Sequence, residues 1–258
     1  MPILDSITSL LPVTPLQFAL ICAGMAAAYI IFGIAGFGTS LIAGPLLANF
    51  IPVAMIIPML ALLDFTAAVV NLKRDANSAD TTELRRIVPA MIGGSVIGAA
   101  LLLLGKPEVM QLALGVFAVG YGLYSLSGIK PVGRVTPRAA LPIGVVGGIF
   151  SALFGSGGFI YTIYLVGRLD TKEKIRVTMS ALIGMSTLTR VVLFFLAGVY
   201  ANLSILLLAA LLFPTMLIGT AIGRRITIGL SREQFIRIVS VIVLCSGAFL
   251  VYRYFASQ

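Results

Sequence analysis

Long apolar blocks separated by short polar loops run the length of the chain. Six of them, roughly 54–72, 87–105, 108–126, 173–198, 203–222 and 233–252, are long enough to cross a hydrocarbon core as helices, which takes about 20 residues. Two further apolar regions, 16–50 and 139–167, are interrupted by glycine clusters. The first reads Phe32-Gly33-Ile34-Ala35-Gly36-Phe37-Gly38-Thr39-Ser40, and the second Phe150-Ser151-Ala152-Leu153-Phe154-Gly155-Ser156-Gly157-Gly158. Glycine weakens a helix by about 1 kcal/mol per residue, so each cluster predicts a helix broken into two arms. The pattern predicts an all-α polytopic membrane protein.

Composition narrows the class further. Of 258 residues, 59% are hydrophobic and only 10% charged, against about a quarter charged in soluble domains. So few charges cannot cover a water-facing surface of this size. The net charge of +9 comes from Lys and Arg in the loops, which argues for membrane orientation and against a nucleic-acid partner. Cys22 and Cys245 sit inside apolar blocks without a CxxC neighbour, and histidine is absent. No metal or cofactor is expected. No nucleophile–base pair, paired carboxylate set or phosphate loop is present, so an enzyme is not expected.

The two halves, 1–130 and 131–258, resemble each other. Gly36-Phe37-Gly38 aligns with Gly155-Ser156-Gly157 at an offset of 119. Pro89-Ala90-Met91-Ile92-Gly93-Gly94-Ser95-Val96-Ile97-Gly98 aligns with Pro214-Thr215-Met216-Leu217-Ile218-Gly219-Thr220-Ala221-Ile222-Gly223 at an offset of 125. Glu108 and Glu233, and Gly122 and Gly247, keep the same offset. Such duplication is a common transporter device.

Loop charges then set the topology. If each glycine-broken region crosses once, the basic loop residues divide almost evenly between the two sides. If each is a hairpin returning to its own side, only Lys106 and Arg253 fall outside among the loop Lys and Arg, as the positive-inside rule requires. Each repeat is then one hairpin plus three spanning helices. That is an odd number of crossings, so the predicted repeats are inverted and the two hairpins enter from opposite faces.

Irregular backbone at membrane depth must be buried in protein or face a cavity. At each glycine tip a new helix starts, at Thr39 and at Phe159, and helix N-termini favour anions. Gly36, Phe37, Gly38, Thr39 and Ser40 from the first tip, and Gly155, Ser156, Gly157 and Gly158 from the second, are candidate anion-binding residues. Close helix packing through small residues is the alternative reading of both clusters. Arg190 lies in the middle of an apolar block, where a charge costs at least ~2.5 kcal/mol on insertion scales. It reads either as an anion clamp or as the partner of Asp64, the only acid deep inside a block. Asp64 in turn is the candidate for proton coupling, with ion pairing as its alternative. Asn71 occupies the position of Arg190 at offset 119 and is a candidate for lining the same cavity. Thr178, Ser180, Ser186 and Thr187 polarise the helix that carries Arg190.

The glycine-broken first segment leading into Gly44-Pro45-Leu46, and the second copy Gly155-Ser156-Gly157-Gly158 leading towards Arg190, resemble the sulfite exporter TauE/SafE family over nearly the whole chain. Two departures stand out. Phe37 interrupts the first glycine run, and Tyr164 stands at the offset of Pro45. The resemblance implies a permease of the cell (inner) membrane that exports sulfite, an organosulfonate or a similar anion by alternating access. Its partners would be a small anion and membrane lipid, and a homodimer is compatible with it. A channel-like anion pore or a non-transporting membrane scaffold are the other readings of the residues.

Overall fold

The computed structural model describes residues 14–35, 39–72, 79–128, 135–225 and 232–256. Among these residues there are helices and no strands. Ten α-helices follow one another: α1 (Pro15–Ala35), α2 (Thr39–Leu47), α3 (Val53–Leu72), α4 (Thr81–Leu104), α5 (Pro107–Leu126), α6 (Ala140–Phe154), α7 (Gly158–Arg168), α8 (Lys172–Leu196), α9 (Leu203–Arg225) and α10 (Arg232–Ala256). Single 3₁₀ turns at Pro137–Ala139 and Val199–Ala201 precede α6 and α9.

Local chemistry sets several of the starts. Thr14 and Gln17 cap α1 reciprocally: Thr14 N–H donates to Gln17 Oε1 at 2.8 Å and Gln17 N–H to Thr14 Oγ1 at 3.3 Å, the capping-box arrangement. Thr171 caps α8 by accepting from Lys174 N–H. The apolar pattern places the start of α4 near residue 87, whereas the helix begins at Thr81. The reason is Asp80, whose Oδ1 accepts from the N–H groups of Thr82 at 3.0 Å and Glu83 at 3.1 Å. This cap supports a polar first turn that no hydrophobic pattern reveals.

Seven described stretches are long and apolar enough to cross a membrane, among them Leu16–Gly33 in α1 and Pro137–Phe154 ending in α6; the apolar part of α3, Val53–Ala67, is shorter. Large apolar side chains are exposed along these helices, including Leu104, Phe195, Leu196 and Leu203. Water would not tolerate this surface, and lipid accommodates it.

The chain divides into two compact units. One contains Met1–Leu60, Gly105–Ile129 and Tyr200–Gln258; the other contains Ala61–Leu104 and Lys130–Val199. In the second unit α4 packs parallel to α6 at near backbone contact. A Cβ on Gly98 would meet Ile149 O at 2.5 Å, and Gly94 and Gly148 are pressed against Val145 O and Met91 O. In the first unit α9 packs on α1 in the same way. A Cβ on Gly219 would meet Ala26 O at 2.9 Å, and Gly223 abuts Ile30 O. Both contacts are glycine-mediated close approaches of the kind that drives helix association in lipid. Gly94 and Gly219, and Gly98 and Gly223, are 125 apart; Val145 and Ala26, and Ile149 and Ile30, are 119 apart. Both units therefore use equivalent residues.

A third contact pairs α5 with α10 inside the first unit. Gly122 faces Ser240 and Leu244, while Gly247 faces Gly115, Ala118 and Val119. Rising numbers on one helix meet falling numbers on the other, so the two pack antiparallel. Ser240 Oγ donates to Ser125 Oγ at 2.6 Å across this contact.

Candidate functional site

The second hairpin is built around one left-handed residue. α6 ends at Phe154, and Gly155 follows at φ 66°, a conformation that glycine adopts without a Cβ penalty. The reversed chain lets Gly155 N–H donate to Ser151 O at 2.8 Å and Ser156 N–H to Phe150 O at 3.3 Å. Ser156 Oγ donates to Phe154 O at 2.9 Å, so in this state its hydroxyl closes the turn. α7 then starts at Gly158, and no side chain caps it. Its N-terminal dipole is left to whatever occupies the space before it.

The arms of this hairpin fold back on each other. The Tyr161 ring lies so close to Gly147 that any Cβ there would overlap it, and a Cβ on Gly157 would meet Gly147 O at 2.5 Å. Gly147 therefore provides the slot for Tyr161. The pair of arms packs on α8, where Gly158 faces Ile183 and Ser151 and Ser186 share a buried hydrogen bond of 2.6 Å.

Arg190 lies one turn beyond Ser186 on α8 and is 3% exposed. Its Nη2 donates to Thr187 Oγ1 at 3.2 Å and lies 3.7 Å from Asp64 Oδ2 on α3. Its Nε and Nη1 have no hydrogen-bond partner. The Tyr161 hydroxyl, on a residue 1% exposed, lies beside Ser186 and in the field of Arg190. It stands outside hydrogen-bonding geometry and is also without a partner. A buried donor left unpaired costs about 1–3 kcal/mol, and more when charged. Unused donors on Arg190 and Tyr161 make a setting that an anion's oxygens would satisfy.

The structure thus brings Gly155, Ser156, Gly157 and Gly158 into one unit with Asp64 and Arg190. Arg190 pairs with Asp64, as one of its two sequence readings expected, and its Nε and Nη1 keep unused donors. Thr39 and Ser40 begin α2 in the other unit; both are buried, and Ser40 Oγ has no partner. Gly36, Phe37 and Gly38 lie outside the described residues, as does the side chain of Asn71. Of the polar residues on α8, Thr178 accepts from Asp80 N–H and Ser180 donates to Arg176 O one turn back, so both serve structure.

Sequence reasoning did not single out Tyr161 or Ser151. It also missed a second polar cluster in the same unit. Glu83, 4% exposed, accepts from Arg86 Nη1 at 2.7 Å and from Arg168 Nη2 at 2.8 Å through Oε1, and from the Tyr164 hydroxyl through Oε2. The cluster ties the end of α7 to the start of α4. Its only trace in the sequence is an acid one turn into a helix whose start the apolar pattern places too late.

Among the described residues, helices without strands and seven membrane-length apolar stretches define a multi-pass membrane protein. The chain belongs to the sulfite exporter TauE/SafE family, whose model matches residues 20–250. It is accordingly a transport protein of the cell membrane, in a family of transporters rather than enzymes. Neither a curated protein nor a solved structure matches it.

Proposed function

We propose that the protein is a secondary transporter that exports a small sulfur-containing oxyanion, such as sulfite or an organosulfonate, by alternating access. One observation carries this reading: an arginine 3% exposed keeps two N–H-bearing nitrogens unpartnered in the middle of an apolar helix. A structural arginine at this depth would have its donors satisfied, because leaving them unpaired in a low-dielectric interior is costly. A transported anion would meet that need transiently.

The architecture we propose is two inverted repeats of one hairpin and three spanning helices. Its support is the antiparallel contact of α5 with α10, which occupy equivalent positions in the two halves. A duplication whose axis ran along the helices would make such a pair parallel. An axis lying in the membrane plane makes it antiparallel, with reciprocal contacts such as those of Gly122 and Gly247. Loop charge points the same way.

The test is sulfite flux in proteoliposomes containing wild type or Arg190→Ala. Wild type is expected to move sulfite against its gradient when energised, and Arg190→Ala to lose at least about tenfold in rate, as expected for deleting a charged hydrogen-bond donor. Unchanged flux in Arg190→Ala would remove the site. Flux that never exceeds equilibration would make the protein a pore.

A further inference from the structure

Asp64 is the feature that the transport reading leaves without a role once it is counted as a partner of Arg190. It sits 3.7 Å from the guanidinium on a side chain 9% exposed. The other described acids of its unit, Asp80, Glu83, Asp170 and Glu173, lie in loops or in the first turns of helices. Among the described residues, Asp64 is therefore the acid that sets the charge of the Arg190 site.

Resting on that reading of Arg190, we infer that Asp64 makes the site selective for singly charged anions over doubly charged ones of the same size and shape. An arginine alone would offer a full positive charge, and a dianion would gain twice what a monoanion gains. With Asp64 beside it the pair is neutral overall, so a second negative charge on the ligand finds no net attraction. The desolvation cost meanwhile rises steeply with charge, as the square in a continuum interior. A monoanion is still held, because the partnerless donors on Arg190 and Tyr161 supply directional hydrogen bonds that do not depend on net charge. The site is thus built to recognise oxygens by donors while using a carboxylate to penalise excess charge.

Methanesulfonate and sulfate make the discriminating pair. Both are tetrahedral at sulfur, and they differ by one charge at neutral pH. Each is added as a competitor of sulfite flux at mildly acidic pH, where sulfite is largely the singly charged hydrogensulfite, in proteoliposomes of wild type, Asp64→Asn and Asp64→Glu. In wild type, methanesulfonate should inhibit at a concentration at least about tenfold lower than sulfate. In Asp64→Asn that preference should shrink or reverse, and in Asp64→Glu, which keeps the charge, it should persist. Equal inhibition by the two anions in wild type, including none by either, overturns the inference, as does an unchanged ratio in Asp64→Asn. If Asp64→Asn does not fold, the wild-type ratio decides alone. These outcomes are separable from failure of the transport reading, which is seen in absent sulfite flux or an indifferent Arg190→Ala before any competitor is added.

Discussion

The two glycine-interrupted regions, 16–50 and 139–167, share a glycine cluster in sequence and differ in almost everything polar around it. In the second, Ser151, Tyr161, Tyr164 and Arg168 are all engaged in or beside buried polar groups. At an offset of 119 the first carries Phe32, Ile42, Pro45 and Asn49 in their places. The same holds for the surrounding helices. Arg190 corresponds to Asn71, Asp64 to Ile183, and Glu83, at the offset of 125, to Leu208. Asn49 Nδ2 is spent locally, donating to Pro45 O at 3.1 Å and Leu46 O at 3.2 Å, while the Asn49 backbone carbonyl accepts from Arg253 Nη1. The glycine contacts of α4 on α6 and of α9 on α1, by contrast, are matched residue for residue. The glycine contacts recur in both units, whereas the buried charged residues among those described, Asp64, Glu83 and Arg190, all lie in the second unit and come from both halves of the chain.

The largest effects should come from the shared glycine contacts and be alike in both units. Gly148→Leu would drive a side chain into Met91 O and Ser95 N, and Gly223→Leu one into Ile30 O. Backbone cannot yield as a flexible side chain can, so both variants should fail to accumulate as folded protein. Gly93→Ala, with nothing within 4 Å of the added Cβ, should behave as wild type. Expression and size-exclusion profiles of the three check this, and a tolerant Gly148→Leu would contradict the packing.

A smaller effect is expected where the copies diverge. Glu83→Gln removes the charge that holds Arg86 and Arg168 and should lower stability by about 2–3 kcal/mol. Both guanidiniums are partly exposed, so the loss stays short of that for a fully buried pair. Leu208→Ala, at the equivalent position, should show only the loss of a buried leucine, with no dependence on salt. Thermal unfolding of Glu83→Gln and wild type across a salt series separates the two, since only the charged network is screened.

The smallest change in stability should accompany a clear change in binding. Tyr161→Phe deletes a hydroxyl that has no hydrogen-bond partner to lose. Its unfolding temperature should hold or rise slightly, while sulfite affinity falls about fivefold to tenfold, the value of one hydrogen bond. A loss of stability with unchanged affinity would assign Tyr161 to packing alone.

These residues also mark what can be read from sequence. The long helices are legible because lipid demands unbroken apolar blocks, and the two broken regions because glycine clusters interrupt them. The start of α4 is not, since Asp80 and a polar first turn extend the helix beyond its apolar stretch. Arg190 and Asp64 stand out because a charge is conspicuous in an apolar block. Tyr161 does not, because a tyrosine in such a block looks like packing or an interface anchor. Only the fold of α6 against α7, with Gly147 opening a slot for the ring, turns its hydroxyl inward. Glu83, Tyr164 and Arg168 are ordinary loop-proximal residues in sequence and meet only when α7 ends beside the first turn of α4. Gly157 and Gly158 lie one turn before Tyr161, and that spacing is the signal that would have found it.

One guanidinium holds the anion in the proposed site, and equilibrium binding of sulfite to the purified protein in detergent tests this most directly. Wild type should bind in a single saturable step. Arg190→Gln combined with Asp64→Asn, which removes both charges and so leaves no unpaired ion buried, should fold and lose about a hundredfold or more in affinity. A folded double variant that binds sulfite as wild type does would contradict the account.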